Sequence, residues 1–194
     1  MTETQPLLIT FGGLPGTGKT TLARAVAAER RAAYLRIDTI EQALRDSGML
    51  TGEVGPAGYL VAYAVAEANL RLGGIVVADS VNALTITRDA WRRVAAASGA
   101  GLCEIELVCS DRDEHRRRIE TRGTDVPGLA ALHWAQVAGR QYEPWNRPHY
   151  LVDTALCSQA EALAAVSFCI DRASRDAGAP ASTIAFPPVS SGPG

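Results

Sequence analysis

The chain has 194 residues, a length that suits one domain with a substantial buried core, and its 47% hydrophobic and 21% charged content is ordinary for a soluble globular protein. Nineteen basic residues against 21 acidic ones leave a net charge of -2, which excludes a global basic field of the kind that recruits long nucleic acid. No signal peptide or bilayer-length apolar run is visible, and Cys103, Cys109, Cys157 and Cys169 form no C-x-x-C pair or zinc-spaced cluster. A cytoplasmic protein with reduced, mostly buried thiols is expected.

Leu7-Leu8-Ile9-Thr10-Phe11 reads as a buried first strand that stops at Gly12-Gly13. Gly13-Leu14-Pro15-Gly16-Thr17-Gly18-Lys19-Thr20 follows and fits G-x-x-x-x-G-K-[ST] at every fixed position. Lys19 is the only lysine among the nineteen basic residues. An Ala-rich helix from Thr20 to Arg31 comes next, so the motif has the strand–loop–helix context it requires. Glycines let successive backbone N–H groups surround phosphate oxygens, and the helix start adds its positive dipole end. Lys19 is expected to reach the β- and γ-phosphates, Thr20 to ligate Mg²⁺, and Thr21 to contact the α-phosphate. A nucleoside triphosphate site is the reading. The lone lysine rules out the N-K-x-D motif that a regulatory GTPase carries.

Tyr34 to Ile37 reads as a second strand ending at Asp38, and Thr39 to Ser47 as a helix. Asp38 can accept a proton from an attacking hydroxyl across the cleft, or cap that helix. Gly48 to Gly58 reads as loop and Tyr59 to Leu72 as helix. Gly74 to Asp79 is a continuous apolar strand ending in an acid. Asp79 suits a metal-linked role as well as a turn. Arg88 opens a helix to Ala97 and can hold an acceptor or cap that helix. Leu102 to Cys109 reads as a strand with Glu104 and Glu106 turned outward near a sheet edge.

Asp111 to Thr121 is a charged helix in which Arg118 and Arg122 share a face, and Gly123 to Gly128 reads as a mobile loop. Such a pair can close over a triphosphate and neutralise charge as a phosphoryl group moves. Asp113–Arg117 and Glu114–Arg118 are candidate pairs four residues apart. Ala130 to Gln141 reads as a helix, Tyr150 to Asp153 as the last strand, and Gln159 to Arg175 as the closing helix. Trp134, Tyr142, Trp145 and His149 can line an acceptor pocket or serve packing, and His115 and His133 read as surface or packing residues. Residues 1–176 form the expected domain and 177–194 a flexible tail rich in Pro, Ser, Gly and Ala. Alternating strands and helices argue a parallel sheet covered on both faces, with ligands at the carboxyl ends of its strands.

The phosphate loop Gly13–Thr20, Asp38, Asp79, the stretch His115–Arg122 with its arginines, Tyr142-Glu143-Pro144-Trp145 and Val152-Asp153-Thr154-Ala155 resemble small P-loop kinases. The group concerned contains gluconate kinases, chloramphenicol phosphotransferases and zeta toxins, with the kinase domain of polynucleotide kinase. The resemblance implies a P-loop NTPase three-layer α/β sandwich with a five-stranded parallel sheet in the order 2-3-1-4-5 and an Arg-rich lid. It implies ATP with Mg²⁺, held by Gly13, Pro15, Gly16, Thr17, Gly18, Lys19, Thr20, Thr21, Arg118 and Arg122, the metal at Thr20 and Asp79. Transfer to a hydroxyl of a small molecule is implied, with Lys19, Asp38 and Arg122 catalytic and Asp38, Asp79 and Arg88 facing the substrate. Arg118 is expected to stack on adenine, with Thr154-Ala155-Leu156-Cys157 passing near the base. The lid departs from the gluconate kinase pattern, so an antibiotic or another hydroxylated metabolite is an equal expectation. The alternatives are a nucleotide-sugar or polynucleotide 5′-hydroxyl kinase, and a non-catalytic ATP-binding regulatory module. A monomer or homodimer is expected.

Overall fold

The computed structural model describes residues 5–49, 52–175 and 183–186. Six strands, β1 (Leu7–Gly12), β2 (Ala33–Arg36), β3 (Ile75–Asp79), β4 (Gly101–Val108), β5 (Tyr150–Asp153) and β6 (Ile184–Phe186), form one sheet in the order β2-β3-β1-β4-β5-β6. Every pairing is parallel. Helices α1 (Lys19–Arg30), α2 (Ile37–Asp46), α3 (Ala57–Arg71), α4 (Thr85–Ala97), α5 (Arg112–Thr121), α6 (Trp134–Ala138) and α7 (Gln159–Arg175) connect the strands and cover the sheet.

Side chains alternate across each strand, so β1 feeds both faces. Ile9 and Phe11 join Leu22 and Val26 of α1 and Val166 and Ile170 of α7 in one apolar layer. Leu8 points the other way, with Val76 and Ala78, into Ala62, Ala66 and Leu70 of α3 and Trp91 of α4. β1 therefore lies between two cores, with β3 on one side and β4 on the other. The strand order reverses there, and the crevice at the carboxyl ends of these strands is where such a sheet takes ligands.

The five expected strands are present in the expected order, and a sixth extends the sheet. Ile184–Phe186 pairs with β5 in register Tyr150↔Ile184, inside the stretch expected to be flexible tail. Residues 176–182 and 187–194 lie outside the described residues. Two other expectations are corrected. β4 is interior rather than near an edge, because β1 pairs on one side and β5 on the other, and its two acids find side-chain partners. Glu104 is buried and accepts from Arg147 (3.2 Å) and Arg92 (3.5 Å), and Glu106 lies 2.9 Å from His149 Nε2. The helix expected at 130–141 shrinks to Trp134–Ala138, since His133 is extended and its N–H donates to the Gln136 side chain (2.8 Å), fixing the start there. Among the described residues no helix is long and apolar enough to cross a membrane.

Candidate active site

The loop between β1 and α1 is bent by backbone conformations that only glycine adopts freely. Gly13 has φ +129, and a Cβ there would meet the Leu107 carbonyl oxygen at 2.1 Å. Gly16 has φ +86, and a Cβ would meet Ile119 at 2.7 Å. The loop is cinched from within: Thr17 Oγ1 and Lys19 Nζ both donate to the Leu14 carbonyl, at 2.9 and 2.8 Å. It is also held from outside. His115 Nε2 lies 2.7 Å from the Pro15 carbonyl oxygen and donates to it, while its ring meets Trp134 edge-on. The reading of His115 as a surface or packing residue therefore missed its loop contact.

Lys19 opens α1 and is 7% exposed. Burial lowers its ammonium to about 8, against the opposing pull of Asp79 and Asp38. A cation kept in a nearly dry site beside converging N–H groups is the complement of a polyphosphate.

Both acids expected at strand ends face this lysine. Asp79 ends β3, is 3% exposed, and accepts from Tyr34 O–H at 2.7 Å. Its burial and the bond raise the Tyr34 phenol well above its ordinary value, burial being the larger cause. Asp38 falls in the first turn of α2 rather than at the end of β2. The N-cap is Arg36, with no side-chain cap, so Asp38 does not cap that helix and its carboxylate borders the cleft.

Arg36 ties these elements together. It is 3% exposed and donates to both oxygens of Asp125, at 2.7 and 3.0 Å. Its other terminal contact is Asp38 at 3.4 Å, and its Nε lies 3.9 Å from Asp79. Asp125 also meets Arg24 at 2.9 Å and Arg122 at 3.7 Å. The Arg36 bonds hold the Asp125 carboxyl down to about 2. The loop after α5, expected to be mobile, is thus fastened to a buried guanidinium at the end of β2.

Helix α5 is capped by Asp111, which accepts from the N–H groups of Asp113 and Glu114, both at 3.0 Å. Glu114 pairs with Arg118 as expected, but also with Arg117 at 2.6 Å, so Asp113 is not Arg117's partner. Arg118 donates to the Thr154 hydroxyl (2.9 Å) and carbonyl (3.0 Å).

Three adjoining cavities result. One of about 200 Å³ is bordered by Pro15, Lys19, Thr20, Asp38, Asp79 and Arg122. A second, about 360 Å³, runs past Gly16, Gly18, Thr21, Arg118 and Arg122. A third, about 230 Å³, lies between Gly16, Arg118, Thr154 and Cys157. Of the expected site residues, Gly13 and Thr17 shape the loop from behind. Arg88 stands apart and is corrected. It is 0% exposed, donates to the carbonyls of Asn82, Ala83, Glu143 and Pro144 at 2.7–3.1 Å, and lies over the Trp145 ring. It fastens the 143–144 segment to α4 and borders none of the three cavities. Trp145, stacked on His149, and Tyr142, bonded to Trp145 Nε1, belong to the same packed group. Arg24, Arg36, Arg45, Glu41, Asp125 and Arg140 had no assigned role in the sequence reading, although Arg36 two residues before an acid is a visible cue.

A glycine loop at a helix N-terminus, a buried lysine, an acid at the end of β3 and another in the first turn of α2, all on a parallel sheet, define a P-loop nucleotide-binding protein with the fold of small kinases. The chain belongs to the AAA domain family AAA_33, whose profile matches residues 8–141. The uncharacterized protein Rv2004c of Mycobacterium tuberculosis is 34% identical over 161 residues, 76% of this chain. That match spans only 32% of the relative, so the chain covers about a third of the curated proteins it resembles. A candidate kinase of Chloroflexus aurantiacus superposes with a TM-score of 0.68 at 24% identity, over 87% of this chain and 96% of that one. The gluconokinase of Sinorhizobium meliloti 1021 gives 0.61 at 18% identity, over 86% and 95%. The APS kinase CysC of M. tuberculosis, solved with AMPPNP and APS, gives 0.60 at 19%, over 86% and 98%. These structural likenesses carry the fold.

Proposed function

We propose that the protein is an ATP-dependent kinase that transfers the γ-phosphoryl group to a hydroxyl of a small molecule, an antibiotic, sugar acid or related metabolite, with Asp38 as general base. One observation carries the reading: Lys19, Thr20, Asp38, Asp79 and Arg122, drawn from four separate chain segments, border a single cavity.

Each side chain has a physical task there. The loop N–H groups and Lys19 hold the β- and γ-phosphates. Arg118, fixed by Thr154 and Glu114, forms a flat wall beside Cys157 against which a purine can stack. Asp38 takes the proton of the acceptor hydroxyl as its oxygen bonds to the γ-phosphorus and the bond from that phosphorus to the β–γ bridging oxygen breaks. Lys19 and Arg122 balance the charge that spreads over the phosphoryl oxygens. The Thr20 hydroxyl and the Asp79 carboxylate are hard oxygen donors on the same cavity and suit Mg²⁺, which would add its own charge neutralisation at the phosphates.

The test is an Asp38→Asn variant assayed with ATP, Mg²⁺ and a panel of hydroxylated metabolites. Fluorescent ATP-analogue binding is expected to persist while transfer drops by roughly 10²–10⁴-fold. Undiminished transfer removes Asp38 as the base.

A further inference from the structure

We infer that the acceptor carries an oxyanion, a carboxylate or a phosphate, at the end opposite its reactive hydroxyl, and that Arg140 together with Arg45 forms the subsite for it. This rests on the kinase reading above.

Asp38, Glu41 and Arg45 border the same cavity and recur along α2 at positions i, i+3 and i+7, on one face of the helix. At 1.5 Å rise per residue, Arg45 stands about 10 Å along the axis from Asp38. The cavity thus has a base at one end and a guanidinium at the other. Arg140 borders the same cavity, and its charge is felt at both Glu41 and Lys19. Its backbone is fixed, since the main-chain N–H donates to the Val137 carbonyl (3.2 Å), and Val137 is 1% exposed.

The charges around the cavity say what fits between. Asp125 is held by Arg36 and Arg24, Asp79 by Tyr34, and Glu41 by Arg45 at 3.4 Å. Lys19 and Arg122 face the phosphate side. Arg140 is the one charged side chain on the cavity with no ion-pair or side-chain hydrogen-bond partner among the described residues. Glu41 is paired with Arg45, so the Arg140 guanidinium is left unmatched, and that excess is met by an anion rather than an amine. Planar guanidiniums also match carboxylate and phosphate oxygens in pairs. Between the two ends, Leu129, Leu132 and Val81 supply an apolar wall for a carbon skeleton.

The experiment uses matched acceptors with ATP and Mg²⁺: D-gluconate against D-glucitol, D-ribose 5-phosphate against D-ribose, and kanamycin as a cationic polyol. A fluorescent ATP-analogue titration of the wild-type chain comes first, and absence of saturable binding there removes the kinase reading itself. With nucleotide bound, kcat/KM for the anionic member is expected to exceed that of its neutral partner at least tenfold in one pair, the pair distinguishing carboxylate from phosphate. Arg140→Ala is expected to raise the KM of that anionic acceptor at least tenfold and to erase the preference, and Arg140→Lys to restore part of it. Thermal melting checks that both variants fold. Preference for neutral or cationic acceptors, turnover of no anionic acceptor, or an unchanged KM in Arg140→Ala overturns the inference while leaving nucleotide binding intact.

Discussion

Replacing Asp125 by Asn keeps the shape of the side chain that fastens the lid but removes its charge. In the wild type, Arg36 donates two bonds to this carboxylate, at 2.7 and 3.0 Å, from a site that is 3% exposed. Fully buried pairs cost about 3–5 kcal/mol to break, and exposed pairs contribute about 0–1. The Asp125 side chain is 35% exposed, which puts this pair between those limits, at roughly 2 kcal/mol. That corresponds to about a 30-fold rise in lid opening. Arg36 keeps Asp38 and Asp79 nearby in the variant, so global stability is expected to change less than local opening. Native-state trypsin cleavage after Arg122, together with amide exchange over 122–128, reads the opening directly. Arg24→Ala removes the half-exposed partner (51%) and is expected to change cleavage less than about fivefold. Equal cleavage of Asp125→Asn and wild type would refute the latch. The pH sign follows from the carboxyl, held near 2 against an ordinary 3.8. Its contribution is complete above pH 4 and fades as the pH falls toward 2.

Two further outcomes are expected. Lys19 is lowered by burial from 10.5 to about 8, so its ammonium is lost as the pH rises through 8. Between pH 8 and 10.5 the unfolded chain holds a proton that the folded one has released, so the cost of burying this group shrinks with rising pH. In the same window Mg-ATP affinity is expected to weaken by up to about tenfold per pH unit, as measured by titration in buffers from pH 6 to 9.5, and a flat profile contradicts the burial argument. Arg88→Met removes a buried donor from four carbonyls, of which the Ala83 carbonyl keeps a second donor in the Glu143 N–H (2.9 Å), and is expected to cost about 3 kcal/mol, a melting temperature lower by roughly 6–12 °C. Loss of nucleotide binding without loss of stability in this variant would return Arg88 to the site.

The parallel sheet and the phosphate loop were legible because their signals are local. An apolar run, a spaced glycine motif and an Ala-rich helix lie within about 25 residues of sequence, each fixing its own backbone. Asp79 was legible because β3 stays apolar until it ends in an acid, which aims that acid at the crevice. Asp38 was legible only as the first acid after β2, and it falls in the first turn of α2. The Arg36–Asp125 bond joins residues 89 positions apart, and no periodicity marks such a pair. Arg88 misled for the opposite reason: an arginine after a strand-end acid has the local look of a ligand, yet two of its carbonyl partners lie just before its own helix and two in the remote 143–144 segment. Glu104 and Glu106 suggested a sheet edge because their partners Arg92, Arg147 and His149 arrive from other elements. β6 lacked any signal beyond three residues in a Pro-, Ser- and Gly-rich stretch, and only the open side of β5 gives them a strand to join.

The central claim is that Lys19 grips nucleotide phosphate at the start of α1, and calorimetric titration of Mg-ATP into the wild type and Lys19→Ala tests it most directly. The wild type is expected to show saturable one-to-one heat, and the variant an affinity weaker by at least about 100-fold at equal thermal stability. No heat in the wild type, or equal binding by the two proteins, would contradict the account.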